Sequence, residues 1–187
     1  MELSVDIRKV YDHAVEVLIA PRPFFTKIKK AKGYRDTTVY LIVLNLVFAV
    51  FGVLAIILVN PSRVEVTFTS ALEVVIASVV SGIAVSFFSA LVLRLWLKLF
   101  KINETYHKAF LLVSYARTPA VVLGWVPIPA LALLGWIYNL YVLVVGAEVL
   151  YKVTRKKAFL TIVVPILVLT AISIALLVVI NSQISPA

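Results

Sequence analysis

From Thr38 to Asn60 the chain carries no charged side chain, and long apolar runs of this kind recur four more times before the C-terminus. Such runs decide the class of fold. A helix needs about 20 mostly apolar residues to cross a bilayer. In lipid the backbone polar groups must be satisfied within the protein itself, which favours helices. Composition agrees: 63% of residues are hydrophobic, 14% are charged, and mean hydropathy is +1.07. A soluble domain carries about a quarter charged residues. The expected fold is an all-α integral membrane protein with five transmembrane helices, preceded by an amphipathic interfacial helix.

The expected spans are 38–60, 68–100, 107–125, 129–150 and 159–180. The first ends at the turn signal "NPSR". The second is too long for one perpendicular crossing, and Arg94 and Lys98 favour its extension into the cytoplasmic interface, where long basic side chains snorkel. The third and fourth form a hairpin around "VPIPA", whose prolines stop both arms. The fifth contains Pro165.

Charge fixes the expected orientation. Basic residues crowd the segment before the first span, the junction between the second and third, and "KVTRKK" before the fifth. The loop at Arg63 is balanced by Glu65, "WVPIPA" is uncharged, and so is the tail "NSQISPA". This alternation places the N-terminus in the cytoplasm and the C-terminus outside. It also accounts for the net charge of +9 without nucleic acid as a partner. The chain has no cysteine, which excludes disulfides and thiolate chemistry. No cleavable signal peptide is expected, since the first residues lack an apolar core of the right kind.

Residues 1–36 are expected to form a cytoplasmic module and residues 37–187 the bundle. Ile7, Val10, Tyr11, Ala14 and Leu18 recur at helical spacing, with Arg8, Asp12 and Glu16 opposite, and Pro21 ends that helix. The following "FFTKIKK" sets Phe24 and Phe25 beside Lys27, Lys29 and Lys30. Two compatible placements follow. The segment lies in the interface, with aromatics in the membrane and lysines on anionic headgroups, or it packs on the protein's own cytoplasmic end.

Few polar groups lie inside the spans. Arg117 falls near the midplane, about 13 Å from either boundary at 1.5 Å per residue, and Glu73 about 8 Å below the outer one. An arginine there costs about 2.5–3.5 kcal/mol on insertion scales and needs an inward-facing partner. The expected partner is Glu73. Pro119 lacks an N–H and frees the carbonyl of Tyr115. Ser114, Thr118 and Asn139 complete an expected intramembrane polar site with Arg117, Glu73 and Pro119. A second pair, Arg94 with Glu148, is expected near the cytoplasmic face. Ser78, Gly82, Ser86 and Ala90 form a row of small residues suited to close helix packing, and Gly135, Asn139 and Gly146 form another.

Three stretches, "PRPFFTKI", "YHKAFLLVSYARTPAVVLGWVPI" and "YNLYVLVVGAEVLYKVTRKKAFLTIVVP", resemble the Yip domain family of polytopic membrane proteins. The resemblance covers most of the chain from Pro21 onward. It implies a five-span bundle with a cytoplasmic N-terminus. Eukaryotic members act in Golgi and endoplasmic reticulum trafficking and contact Rab GTPases. This chain lacks their long N-terminal region, so a Rab-type GTPase is a poor expectation. It looks more like the short prokaryotic members, which implies a prokaryotic cell membrane.

Three function classes follow. The first is a non-catalytic scaffold that organises membrane or binds partners through lipid headgroups. The second is a small transporter or channel for ions or polar solutes that uses Arg117 and Glu73, with a homo-oligomer supplying the room that five spans lack. The third, an intramembrane enzyme, has little support. His13 and His107 lie outside the spans or at a boundary, and no HExxH, GxSxG or paired acidic motif is present. No metal or cofactor is expected.

Overall fold

A computed structural model describes residues 7–31, 33–59 and 67–168. The described residues are helical: α1 (Ile7–Ile19), α2 (Pro21–Ile28), α3 (Arg35–Val59), α4 (Phe68–Leu99), α5 (Tyr106–Ala116), α6 (Thr118–Gly124), α7 (Pro129–Tyr151) and α8 (Arg155–Ala158). A π-helical turn, Phe159–Val163, follows α8 and leads into helix over 164–168. The loop at Arg63 and Glu65, and the expected fifth span beyond residue 168, lie outside the described residues.

Three helices, α3, α4 and α7, are long and apolar enough to cross a membrane. The third expected span divides at Arg117 into α5 and α6. Pro119 causes the break, because position 119 cannot donate to the ladder and its ring crowds the turn before it. Threonine caps start α4, α5 and α8: the side chains of Thr67, Thr105 and Thr154 accept from the backbone N–H of Ser70, Lys108 and Lys157. Pro129 opens α7, where a missing N–H has no cost.

At 32 residues α4 is about 48 Å long, more than the roughly 30 Å that a bilayer's hydrocarbon core would require. Phe87 stacks on Phe110 with ring centroids 4.4 Å apart, and the Phe87 carbonyl accepts from the Tyr106 hydroxyl. Tyr106 opens α5. About 18 Å of α4 therefore runs on past that level. Trp96 on this extension donates its indole N–H to the Thr161 carbonyl at 2.7 Å. Pro165, four residues further on, has no N–H to offer that carbonyl.

Small residues set the closest helix contacts. A Cβ on Gly135 would stand 2.9 Å from the Pro119 carbonyl, so α6 and α7 touch backbone to backbone. A Cβ on Gly146 would stand 2.4 Å from Leu112 Cδ1 and 2.7 Å from Phe25 Cε2. Gly146 thus forms the seat of α2 on α7.

That seat decides between the two placements of the N-terminal segment. Phe24 and Phe25 are 1% and 0% exposed, so their rings lie in the protein core and not among lipid. Phe24 meets Tyr115 edge-on, and Phe25 closes over Gly146. The α1 helix packs alongside the start of α3: Lys9 pairs with Asp36, and one turn further on His13 meets Tyr40. The Tyr138 hydroxyl of α7 donates to the Leu18 carbonyl. Val17 is fully buried, while Ile7 and Tyr11 of the expected apolar face stay exposed. The apolar face of α1 is therefore rotated toward Val10, Ala14 and Val17.

Gly146→Val is expected to force the Phe25 ring off α7 and to destabilise the protein by about 1–3 kcal/mol, the usual cost of overpacking. A lowered Tm, with faster tryptic cleavage after Lys27 and Lys29, checks this. An unchanged Tm would contradict the seat.

Candidate functional site

Arg117 stands where α5 gives way to α6, about 16 Å along from Tyr106. Its side chain reaches α4. Nη1 donates to the Gly82 carbonyl at 2.9 Å and to Ser86 Oγ at 2.6 Å. Ser86 Oγ itself donates to the Gly82 carbonyl at 2.8 Å. The missing side chain of Gly82 also lets α3 close in, since a Cβ there would fall 2.2 Å from Asn45 Oδ1. Asn45, on α3, is 5% exposed and ties its amide to the Leu41 carbonyl. The floor of the site is thus made by α3 and α4, and its charge comes from the α5–α6 joint.

The expected Arg117–Glu73 pair does not form. Glu73 is exposed on α4. At 3.6 residues per turn, nine residues turn it about 180° from Gly82 and thirteen turn it about 140° from Ser86. Magnitudes explain why the arginine tolerates neutral partners. A hydrogen bond to a charged group is worth about 1.5–3 kcal/mol, and two of them match the roughly 2.5–3.5 kcal/mol insertion cost. The signal was present in the sequence: the small-residue row that includes Gly82 and Ser86 marks the inward face of α4, and Glu73 is not on it.

The acceptor freed by Pro119 is met as its chemistry requires. Thr118 Oγ1 donates to the Tyr115 carbonyl at 2.7 Å. That uses the only hydroxyl proton of Thr118, so Tyr40 donates to Thr118 Oγ1 across 2.6 Å. Tyr40, Tyr115 and Thr118 are all buried. Sequence reasoning named Thr118 and Pro119 but missed Tyr40 and Asn45. Asn45 could have been found, as the one amide inside the apolar run of α3.

Ser114 and Asn139 are also buried, at 0% and 8% exposure, yet Ser114 Oγ and Asn139 Oδ1 have no hydrogen-bond partner among the described residues. Neither bonds to Arg117. The site the structure assembles is therefore Arg117, Gly82, Ser86 and Asn45, with the Tyr40–Thr118–Tyr115 chain beside it.

The second expected pair is also rearranged. Glu148 binds Arg22 of α2 at 2.9 Å and Arg155 of α8 at 3.0 Å, and not Arg94. It clasps the two basic segments, α2 and α8, that flank the C-terminal end of α7. Arg94 keeps a buried Nε with no hydrogen-bond partner among the described residues.

In the N-terminal module, Lys27 bonds Glu16, while Lys29 and Lys30 are exposed. His13 lies between Phe24, Tyr40 and Tyr115, with Nδ1 3.5 Å from the Tyr115 hydroxyl. Burial, then the positive charge of Lys9, and more weakly that of Lys27, hold its imidazole below its ordinary range. Glu16 and Asp36 oppose this in part.

These features define the class: an integral membrane protein built as a helical bundle, with a basic two-helix module docked on one end. The sequence model of the Yip1 domain matches residues 15–177, and the chain belongs to that family. Neither a curated protein nor a solved structure gives a match.

Two outcomes are expected. In a double-mutant cycle, Arg117→Leu and Ser86→Ala couple by about 1 kcal/mol or more, while Arg117→Leu and Glu73→Leu add without coupling. Equal coupling in both cycles, read from Tm, would contradict the geometry. For His13 the native state takes up its proton at lower pH than the unfolded chain. Its contribution is then complete above the unfolded value of 6.5 and is lost as pH falls through the folded one. His13→Gln is expected to flatten the fall in Tm between about pH 7 and 5. An unchanged pH profile would remove His13 from the account.

Proposed function

We propose that this Yip1-family protein is a non-catalytic membrane-organising or partner-binding scaffold that presents a fixed basic surface to anionic headgroups. In this reading the chain crosses the membrane five times, its N-terminus is cytoplasmic and its C-terminus is outside. Residues 1–36 form the cytoplasmic module, and residues 37–187 form the bundle.

The observation that carries the reading is the division of labour within "PRPFFTKIKK". Its aromatics are buried against α5 and α7, and its terminal lysines are left exposed. Burying Phe24 and Phe25 sets the backbone from which Lys29 and Lys30 project. Other exposed basic residues, among them Lys101, Lys152 and Lys156, end the neighbouring helices. A basic side chain near an anionic surface contributes about 1 kcal/mol, so several held together give useful attraction without a lipid-inserted anchor. A prokaryotic cell membrane, rich in anionic lipid, suits this surface. A Rab-type GTPase is not part of this reading, and a homo-oligomer is compatible with it.

The alternative is a small transporter or channel working through an Arg117–Glu73 pair. It has less support, because the two groups point to different sides of α4.

The test uses the full chain in nanodiscs that mix zwitterionic lipid with phosphatidylglycerol. Lipid co-purifying with the wild type is expected to be enriched in phosphatidylglycerol. Lys29→Glu with Lys30→Glu is expected to reduce the enrichment by about fivefold or more at low salt, with no change in Tm. Indifference to the charge reversal would refute the headgroup surface.

A further inference from the structure

Where the end of α4 meets α8 and the π-helical turn there is a groove of about 390 Å³, a volume within the range of small-ligand sites. Phe100, which caps α4, lines it from one side. Leu160 and Thr161 of the π-helical turn line it from the other, and Thr154, Lys156 and Lys157 complete it. No acidic side chain is among them.

The two sides are tied together. The Trp96 indole N–H on α4 donates to the Thr161 carbonyl at 2.7 Å, and the Trp96 ring lies 5.5 Å from that of Phe100. Thr161 Oγ1 donates in turn to the Lys157 carbonyl at 2.8 Å. Trp96, Phe100 and the π-helical turn therefore form one connected frame that carries the lysines. π-Helical turns recur at functional sites.

Apolar and cationic surface meet in this groove. Phe100 and Leu160 are large apolar side chains left exposed, and Lys156 and Lys157 are exposed beside them. Two apolar rows lead away from it. Phe88, Val92, Trp96 and Phe100 recur every four residues on α4, and Leu160, Val164 and Val168 recur every four on the segment across from it. All of them are exposed, and side chains four apart share a helix face. Thr154 Oγ1 accepts from the Lys157 N–H at 3.3 Å. That bond occupies a lone pair of the hydroxyl and not its proton.

We propose that the groove binds one anionic phospholipid, with its phosphodiester on Lys156 and Lys157, Thr154 as a further donor, and an acyl chain along the apolar rows. The chemistry of the walls selects the occupant. A soluble phosphoester leaves the apolar surface unused, and a zwitterionic lipid brings an ammonium toward two lysines. A net negative headgroup joined to acyl chains uses both kinds of surface. Basic pockets between membrane helices bind anionic headgroups in the same way. The inference deepens the headgroup reading and rests on it for the class of lipid. It adds a discrete site of fixed stoichiometry, away from Lys29 and Lys30.

The experiment titrates the full chain in maltoside micelles with phosphatidylglycerol or phosphatidylcholine and counts retained lipid by native mass spectrometry. The wild type is expected to hold a single phosphatidylglycerol and to release phosphatidylcholine. Lys156→Gln with Lys157→Gln is expected to weaken retention about tenfold or more. The same change of charge at Lys29 and Lys30 is expected to leave it unaltered. Leu160→Trp keeps every charge and fills the groove from an exposed position, and it is expected to lose the lipid without a change in Tm. Glycerol phosphate, which has no acyl chain, is not expected to compete. Lipid lost only in the groove variants assigns the site, whatever Lys29 and Lys30 do in nanodiscs. Equal loss for the two lysine pairs, retention unchanged by the groove variants, or phosphatidylcholine held as firmly overturns the groove and leaves the Lys29–Lys30 surface to its own test.

Discussion

A carbonyl that loses its helical donor where water does not reach must find another, and this requirement organises the bundle. Pro119 and Pro165 each withhold an N–H from one such acceptor. The first, on Tyr115, is met through Thr118, which Tyr40 supports in turn from α3. The second, on Thr161, is met by the indole of Trp96 from α4. Each proline thereby binds its own segment to a different helix. The breaks that weaken the third and fifth segments locally are the places where those segments are held most specifically.

Arg117 belongs to the same scheme. The break before Pro119 turns the chain so that its side chain meets the Gly82 carbonyl on α4, and Ser86 fills the gap between them. Gly82 serves two neighbours at once, since Asn45 of α3 closes on its bare Cα while Arg117 takes its carbonyl. One residue without a side chain therefore brings α3, α4 and the α5–α6 joint to a common point.

Much of this could be read from the sequence. Apolar run lengths marked α3, α4 and α7 as long enough to cross a membrane, and the family resemblance agreed with the later match over residues 15–177. The freed carbonyl at Tyr115 follows from Pro119 alone. What was not legible was direction. Depth along a helix can be counted, and it placed Glu73 within reach of Arg117. Azimuth decides contact, and it placed Glu73 on the opposite face. The same limit applied to Glu148, whose partners on α2 and α8 depend on how connecting segments fold back over α7. For Phe24 and Phe25, composition beside lysines reads equally as lipid-facing or core-facing. Only the bare surface of Gly146 across from them decides the matter.

The seating of α2 has a consequence for biogenesis. Its socket is built from Leu112 of α5 and Gly146 of α7, both of which emerge from the ribosome long after Phe25. Helix α2 is thus among the last elements to reach its final position, because the Leu112 and Gly146 surfaces that receive Phe25 are made only after α5 and α7 are synthesised.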